Sequence, residues 1–129
     1  MIEQKKILVV DDDLNMQEFY ASLFAEHAVT FCTSGEATVD VIKGGAVFDL
    51  IYLDLDLLGI SGFTTFDKLK DIAGDALPPV VVSSSLSDPE TKQTAQEKGA
   101  AAFVPKPVNL QFALKVAVQL LSDNAKETS

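Results

Sequence analysis

Five short apolar runs recur along the chain, each followed by a stretch of helical periodicity. The first, Lys6 to Val10, reads KILVV; Val29 to Cys32, Leu50 to Leu53, Val80 to Ser83 and Ala101 to Val104 follow. They do not alternate apolar with polar residues. A strand built from such a run is buried on both faces, which is the condition of a parallel sheet covered by helices on each side. Helices are expected over Leu14 to Glu26, with Met16, Phe19, Tyr20, Leu23 and Phe24 on one stripe, and over Glu36 to Lys43, ended by Gly44 and Gly45. A third covers Thr64 to Ile72. Ser87-Asp88-Pro89-Glu90 has the form of a capping box with proline in the first turn and opens a fourth, which ends at Gly99. The last covers Leu110 to Leu121. The pattern predicts one doubly wound α/β domain over residues 1–129, with a core from about 6 to 122 and a polar tail, 123–129, that frays. Phe19, Phe24, Phe48, Phe66 and Phe112 are expected in the core.

Several function classes drop out on composition. No apolar run approaches the roughly 20 residues that span a bilayer, and the start, MIEQKKILVV, runs into three aspartates rather than forming a signal peptide. The single cysteine, Cys32, excludes an intramolecular disulfide and is read as inert packing in a reducing, cytoplasmic setting. A net charge of −9 repels phosphate backbones, so no direct nucleic-acid binding is expected. The same charge suits cations or basic protein surfaces.

In doubly wound sheets, ligands bind beyond the carboxyl ends of the strands, where the strand order reverses. Asp11, Asp12 and Asp13 follow the first strand, Asp54 ends the third, Ser83, Ser84 and Ser85 end the fourth, and Lys106 ends the fifth. Carboxylates gathered within a few ångströms need a cation to stay ionised. An all-oxygen donor set suits a hard octahedral ion, so Mg²⁺ is the expected guest. A carboxylate beside Mg²⁺ and a lysine is placed to attack phosphorus, because both cations neutralise the transferring phosphoryl oxygens. Ser84 could hydrogen-bond the new phosphoryl group. Asp54 and Asp56 would share a face of an unbroken strand. The backbone is therefore expected to leave strand geometry at Leu55, with the Asp56 carboxylate turning to solvent. His27, the one histidine, is assigned to a helix end without a phosphotransfer role, and Gly59 and Gly62 to turns.

The segments ILVVDDD, FDLIYLDLDLLGISGF, PVVVSSS and GAAAFVPKP, in this order and spacing, resemble the receiver domain of two-component response regulators over Ile7 to about Leu121. The resemblance implies a flavodoxin-like five-stranded parallel sheet in the order 2-1-3-4-5. It implies that Asp54 accepts a phosphoryl group from a sensor histidine kinase or histidine phosphotransfer protein. By the same match Asp11 and Asp12 hold Mg²⁺, Asp12 as the more direct ligand, and Asp56 lends the metal its backbone carbonyl. Ser84 and Lys106 contact the phosphoryl group, Phe103 is the aromatic switch, and Lys106-Pro107 is a cis peptide. The output surface spans roughly Pro89 to Leu121. Such a domain is a signalling switch, not an enzyme, and assists only its own phosphorylation and dephosphorylation. Asp13 lies outside the acidic pair and is expected to face solvent. Four residues depart from the family pattern. Leu58 replaces a proline and is expected to loosen its loop, Ser85 replaces the commoner alanine, and Asp56 is acidic where the family tunes dephosphorylation. Pro105 interrupts the fifth strand, which is tolerated at a sheet edge. No output domain follows within the sequence, so the output is expected through a protein partner or to have been lost by truncation.

Two rival readings use the same residues. LDLDLLG also resembles the DxDx[TV] motif of haloacid-dehalogenase-like phosphohydrolases, with Asp54 as nucleophile and Asp56 as general acid/base. In that family the motif lies on the first strand, whereas here two strands and two helices precede it. Leu57 and its neighbour depart from threonine or valine, and no cap-sized segment is present. The other rival is an interaction module that keeps the fold without phosphotransfer; the presence of all five key residues argues against it.

Overall fold

The computed structural model describes residues 3–127 apart from Ser87, with side chains described up to Ser122. Five strands, β1 (Lys6–Val10), β2 (Ala28–Cys32), β3 (Leu50–Asp54), β4 (Val80–Ser84) and β5 (Ala102–Pro105), alternate with five helices. The helices are α1 (Leu14–Leu23), α2 (Gly35–Lys43), α3 (Gly62–Ala73), α4 (Pro89–Glu97) and α5 (Leu110–Glu127), and a 3-10 turn, Gly74–Ala76, follows α3. All pairings are parallel and the order is β2-β1-β3-β4-β5. The sheet grows outward from β1 in one direction, then reverses and grows the other way from β3. The carboxyl ends of β1 and β3 therefore flank the crevice.

The two-residue periodicity of a strand divides its side chains between two cores. Leu8, Val10, Ile51, Leu53, Val80 and Val82 pack on one face with Val39, Phe66, Leu69 and Ala95 from α2, α3 and α4. Ile7, Val9, Leu50, Tyr52, Val81 and Val104 pack on the other with Tyr20, Phe24, Ala117 and Leu121, under α1 and α5. Burying each large aliphatic side chain contributes about 1.5–3 kcal/mol, which is why β1, β3 and β4 are apolar on both faces. The Tyr52 hydroxyl, deep in the second core, donates to the Ala113 carbonyl of α5 at 2.8 Å. The edge strands are less covered, and Pro105 closes β5 at the sheet edge, where its missing N–H breaks no central ladder.

Local signals set the helix starts. Asp13, Ser34, Ser61 and Asp88 each accept a backbone N–H from the first turn of the helix they precede. Ser87, assigned to the capping box, lies outside the described residues; Asp88 is the cap. Three expectations need correction. α1 ends at Leu23 rather than Glu26, because His27 N–H turns back to the Phe24 carbonyl and β2 begins at Ala28. α5 does not stop at Leu121 but runs to Glu127, taking in most of the tail expected to fray. Phe112 is 43% exposed rather than core. The inward stripe of α5 is Ala113, Ala117 and Leu121, four residues apart, and Phe112 lies one residue, about 100°, off it. Phe24 and Phe66 are buried as expected, while Phe19 and Phe48 are half-buried.

Gly62 opens α3 directly against the end of β3. A Cβ there would come within 2.6 Å of the Asp54 carbonyl oxygen and closer still to the Leu55 Cα, and backbone cannot swing aside. Gly62→Ala should therefore destabilise the fold by about 1–3 kcal/mol, as overpacking does, read as a lower urea midpoint at unchanged slope. An unchanged midpoint would show that α3 is not seated this closely.

Candidate functional site

Ladder hydrogen bonds continue one residue past the strands and carry the site with them. Asp11 N–H donates to the Cys32 carbonyl at 3.0 Å, Leu55 N–H to the Ser83 carbonyl at 2.8 Å, and Lys106 N–H to the Ser84 carbonyl at 3.0 Å. Asp11 and Lys106 by their own N–H groups, and Asp54 through its pairing with Ser83 and the bond of Leu55 next to it, are thus anchored to a neighbouring strand before any side chain interacts. Asp11 and Asp54 are each only 3% exposed, and Asp12 is half-buried. Carboxylate oxygens of Asp11, Asp12 and Asp54 all lie within 4.8 Å of one another. Lys106, from the far edge of the sheet, places Nζ 3.0 Å from Asp54 Oδ2 and 3.6 Å from Asp11 Oδ2. The second oxygen of Asp54 accepts the Asp56 N–H at 2.8 Å, and that of Asp11 accepts the Asp13 N–H at 2.9 Å. Lys106-Pro107 is cis.

Three acids against one ammonium leave the cluster short of positive charge. Burial is the main force lifting the Asp11 carboxyl to about 6; the Asp13 N–H works against it and the Asp54 charge with it. Burial alone would pull Lys106 down, yet the hydrogen bond and charge of Asp54, with the charges of Asp11 and Asp56, hold its ammonium above its ordinary value. The Ser83 hydroxyl, buried beside Asp11 and Asp54, has no hydrogen-bond partner among the described residues. A carboxylate-only cluster with unmet negative charge fits a hard divalent cation.

Sequence reasoning placed Asp11, Asp12, Asp54, Ser84 and Lys106 at one sheet edge, and the structure brings them there. Phe103 is half-buried on β5, with Lys92 Nζ of α4 6.0 Å from its ring centroid. Asp13 is exposed as expected, but it also caps α1. Leu58 donates its N–H toward Asp12 Oδ2 at 3.4 Å, a bond that proline could not make. His27 sits between α1 and β2, where its Nδ1 accepts the Lys5 N–H.

The Asp56 side chain corrects the sequence reading. Its residue is exposed, yet its carboxylate does not simply point to solvent. Oδ1 accepts the Ser84 hydroxyl at 3.1 Å, and Oδ2 accepts the Ser85 N–H at 2.9 Å and the Ser85 hydroxyl at 3.0 Å. Burial opposes ionisation, but these bonds outweigh it and hold the Asp56 carboxyl below its usual range. The register carried the missing signal. Asp54 pairs with Ser83, so two residues further on Asp56 faces Ser85.

A family model described as response regulator receiver domain matches residues 7–118. The chain is 32% identical over 105 residues to the response regulator PleD of Caulobacter vibrioides, a match covering 81% of this chain and 23% of that protein. It is 28% identical over 111 residues to the transcriptional activator protein PfeR of Pseudomonas aeruginosa, covering 84% of the chain and 35% of the relative. The chain thus spans about a third or less of the length of these relatives. Among solved structures, a CheY-like receiver domain protein from Methanospirillum hungatei superimposes with a TM-score of 0.86 at 22% identity, over 97% of this chain and 99% of that one.

In the cation-free protein, the raised Asp11 value favours a protonated native state. That contribution to stability is full below the ordinary value of 3.8 and is lost as pH rises through about 6. A divalent cation held by Asp11 would compete with the same proton. Mg²⁺ affinity, measured by calorimetric titration, should be level near pH 7 and above, and fall by up to about tenfold per unit below pH 6. At pH 7, Mg²⁺ at 100 times its dissociation constant should add about 2.7 kcal/mol of stability. Equal affinity at pH 7 and pH 5 would remove Asp11 from the cation site.

Proposed function

The chain belongs to the response regulator receiver domain family, and from that premise we propose that Asp54 is its phosphoacceptor. The observation that carries the proposal is the buried Asp54 carboxylate at the switch point of the sheet, held 3.0 Å from the Lys106 ammonium and beside Asp11 and Asp12. An Asp54 oxygen attacks the phosphorus of a phosphohistidine on a sensor kinase or phosphotransfer protein. The new O–P bond forms as the P–N bond breaks, and the departing imidazole keeps the electron pair. Lys106 balances negative charge on Asp54 and on the incoming oxygens. Asp11 and Asp12, with the Asp56 backbone carbonyl, would hold Mg²⁺, which when bound neutralises the phosphoryl oxygens as they pass between donor and acceptor. The Ser84 hydroxyl then donates a hydrogen bond to the phosphoryl group on Asp54. The domain assists its own phosphorylation and dephosphorylation and turns over no separate substrate.

Phosphorylation adds a charge of about −1.5 to −2 beneath α4, β5 and α5, and shifts a two-state equilibrium of that surface. Ser84 and Phe103 are the residues proposed to carry the shift across residues 89–121. Leu110, Phe112, Leu114 and Val118 leave apolar area exposed on α5, which supports a protein rather than a nucleic acid as target; the charge of −9 supports the same choice. Among the described residues no helix is long and apolar enough to cross a membrane, in keeping with a cytoplasmic site of action. The phosphohydrolase reading is not favoured. Its nucleophile belongs on a first strand, and its general acid needs a mobile proton, whereas Asp54 lies on β3 and the Asp56 carboxylate is engaged by Ser84 and Ser85.

Asp54→Asn should abolish labelling by acetyl phosphate, because an amide is not a competent nucleophile, while Asp56→Asn should still gain one phosphoryl group. Intact mass of each variant with and without Mg²⁺ decides the matter. A phosphoryl gain on Asp54→Asn, or none on Asp56→Asn, would overturn the assignment. Lys106→Ala should retain the fold yet lose most phosphorylation, on the order of a hundredfold in rate or more.

A further inference from the structure

The donors expected to greet a phosphoryl group on Asp54 are already engaged. A serine hydroxyl has a single proton to give. Ser84 gives its proton to Asp56 Oδ1 at 3.1 Å, while its oxygen accepts the Leu86 N–H at 2.9 Å. The backbone N–H of Ser85, the next donor along the same turn, points to Asp56 Oδ2 at 2.9 Å, and the Ser85 hydroxyl adds a third bond at 3.0 Å. One carboxylate thus holds three donors of the β4–α4 turn. Such charge-assisted bonds are the stronger class of hydrogen bond. The anchor of that carboxylate is close to the acceptor, since the Asp56 N–H itself donates to Asp54 Oδ1 at 2.8 Å.

We propose that Asp56 is a positioning residue whose carboxylate stands in for the phosphoryl group in the resting protein, holding the Ser84 hydroxyl and the Ser85 N–H until phosphorylation of Asp54 displaces it. The proposal rests on the assignment of Asp54 as phosphoacceptor. It gives Asp56 a role in the resting state, separate from any effect on the attacking water. When the phosphoryl group arrives, both anions compete for the same two protons, and their like charges repel across the turn. The donors pass to the phosphoryl oxygens, and the Asp56 side chain swings into solvent. Part of the free energy of forming the phosphorylated state is therefore spent on releasing Asp56. Ser85 strengthens the hold, because a residue without a hydroxyl would offer two donors in place of three.

The test uses beryllofluoride as a phosphoryl mimic, with Mg²⁺, titrated into the wild type, Asp56→Ala and Ser85→Ala. Asp56→Ala should bind the mimic about tenfold more tightly, the worth of roughly one net hydrogen bond. Ser85→Ala, which keeps the charge of Asp56 but loses one donor, should show a smaller gain, about threefold, as expected for a weakened hold. A metal-free readout is independent of binding. The Ser85 amide proton in the free protein should move upfield in Asp56→Ala, having lost a charged acceptor, and the wild-type and variant resonances should converge once the mimic is bound. If the wild type is folded but does not bind the mimic, the phosphoacceptor assignment fails and the proposal falls with it. If the wild type binds and Asp56→Ala binds no more tightly, or the Ser85 amide is unmoved in the free variant, the stand-in role is wrong. A gain in Asp56→Ala with none in Ser85→Ala would assign the effect to charge at a distance and likewise overturn it.

Discussion

Carboxylate oxygens of three aspartates sit within 4.8 Å of one another, two of the residues almost fully buried, with one lysine ammonium to offset them. Left to local preference, such a cluster would open and let water in. It stays closed because the backbone at three of its members is tied to neighbouring strands. Asp11 and Asp54 are fixed by ladder bonds to β2 and β4, and Lys106 is fixed by its own N–H to the Ser84 carbonyl. The apolar strands beneath provide the cohesion. Leu8, Val10, Leu53 and Val82 are essentially inaccessible, and so are Val9, Tyr52 and Val81 on the opposite face. The site is thus a charge defect imposed by the sheet, and an excess of negative charge held in one place suits a cation.

The strands and the acidic cluster were legible in the sequence for related reasons. A run such as KILVV has few alternatives to a central parallel strand, and in a doubly wound sheet whatever follows it must lie at the ligand edge. Asp11, Asp54, Ser84 and Lys106 could be placed without coordinates because each closes or follows an apolar run. The side-chain arrangement of Asp56 was not legible, since strand alternation and loop geometry predicted opposite directions and neither considered a partner across the ladder. Extending the β3–β4 register by two residues would have matched it with Ser85. Phe112 was misplaced because an aromatic residue outweighed the alanines Ala113 and Ala117 when the buried stripe of α5 was chosen. The far end of α5 was misjudged because SDNAKE is polar, and polarity in a last turn does not by itself end a helix.

The two faces of the sheet are also tied through β3. Tyr52 lies two residues before Asp54 and spans the second core to bond the α5 backbone at Ala113. On the other face Leu53 packs in the first core with Phe66 of α3, and Phe103 packs against the same cluster. The carboxyl end of β3 is therefore packed on both sides, whereas Ser85, on the turn just past the end of β4, is exposed. Leu86, on that turn, is 62% exposed.

The site draws on positions 11, 54, 84 and 106, which are spread over most of the chain. No local segment contains it, and β5 cannot be left out, since it brings the lysine and completes the edge beside β4. During synthesis the acidic pair and the acceptor emerge long before their counter-charge. A nascent chain therefore carries every aspartate of the cluster without the Lys106 ammonium until the fifth strand has docked. Contacts so far apart in sequence carry a high loop-closure cost. The closed cluster is in this sense a certificate of finished folding: a chain whose fifth strand has not docked has the right aspartates in its sequence and lacks the ammonium that sits between two of them.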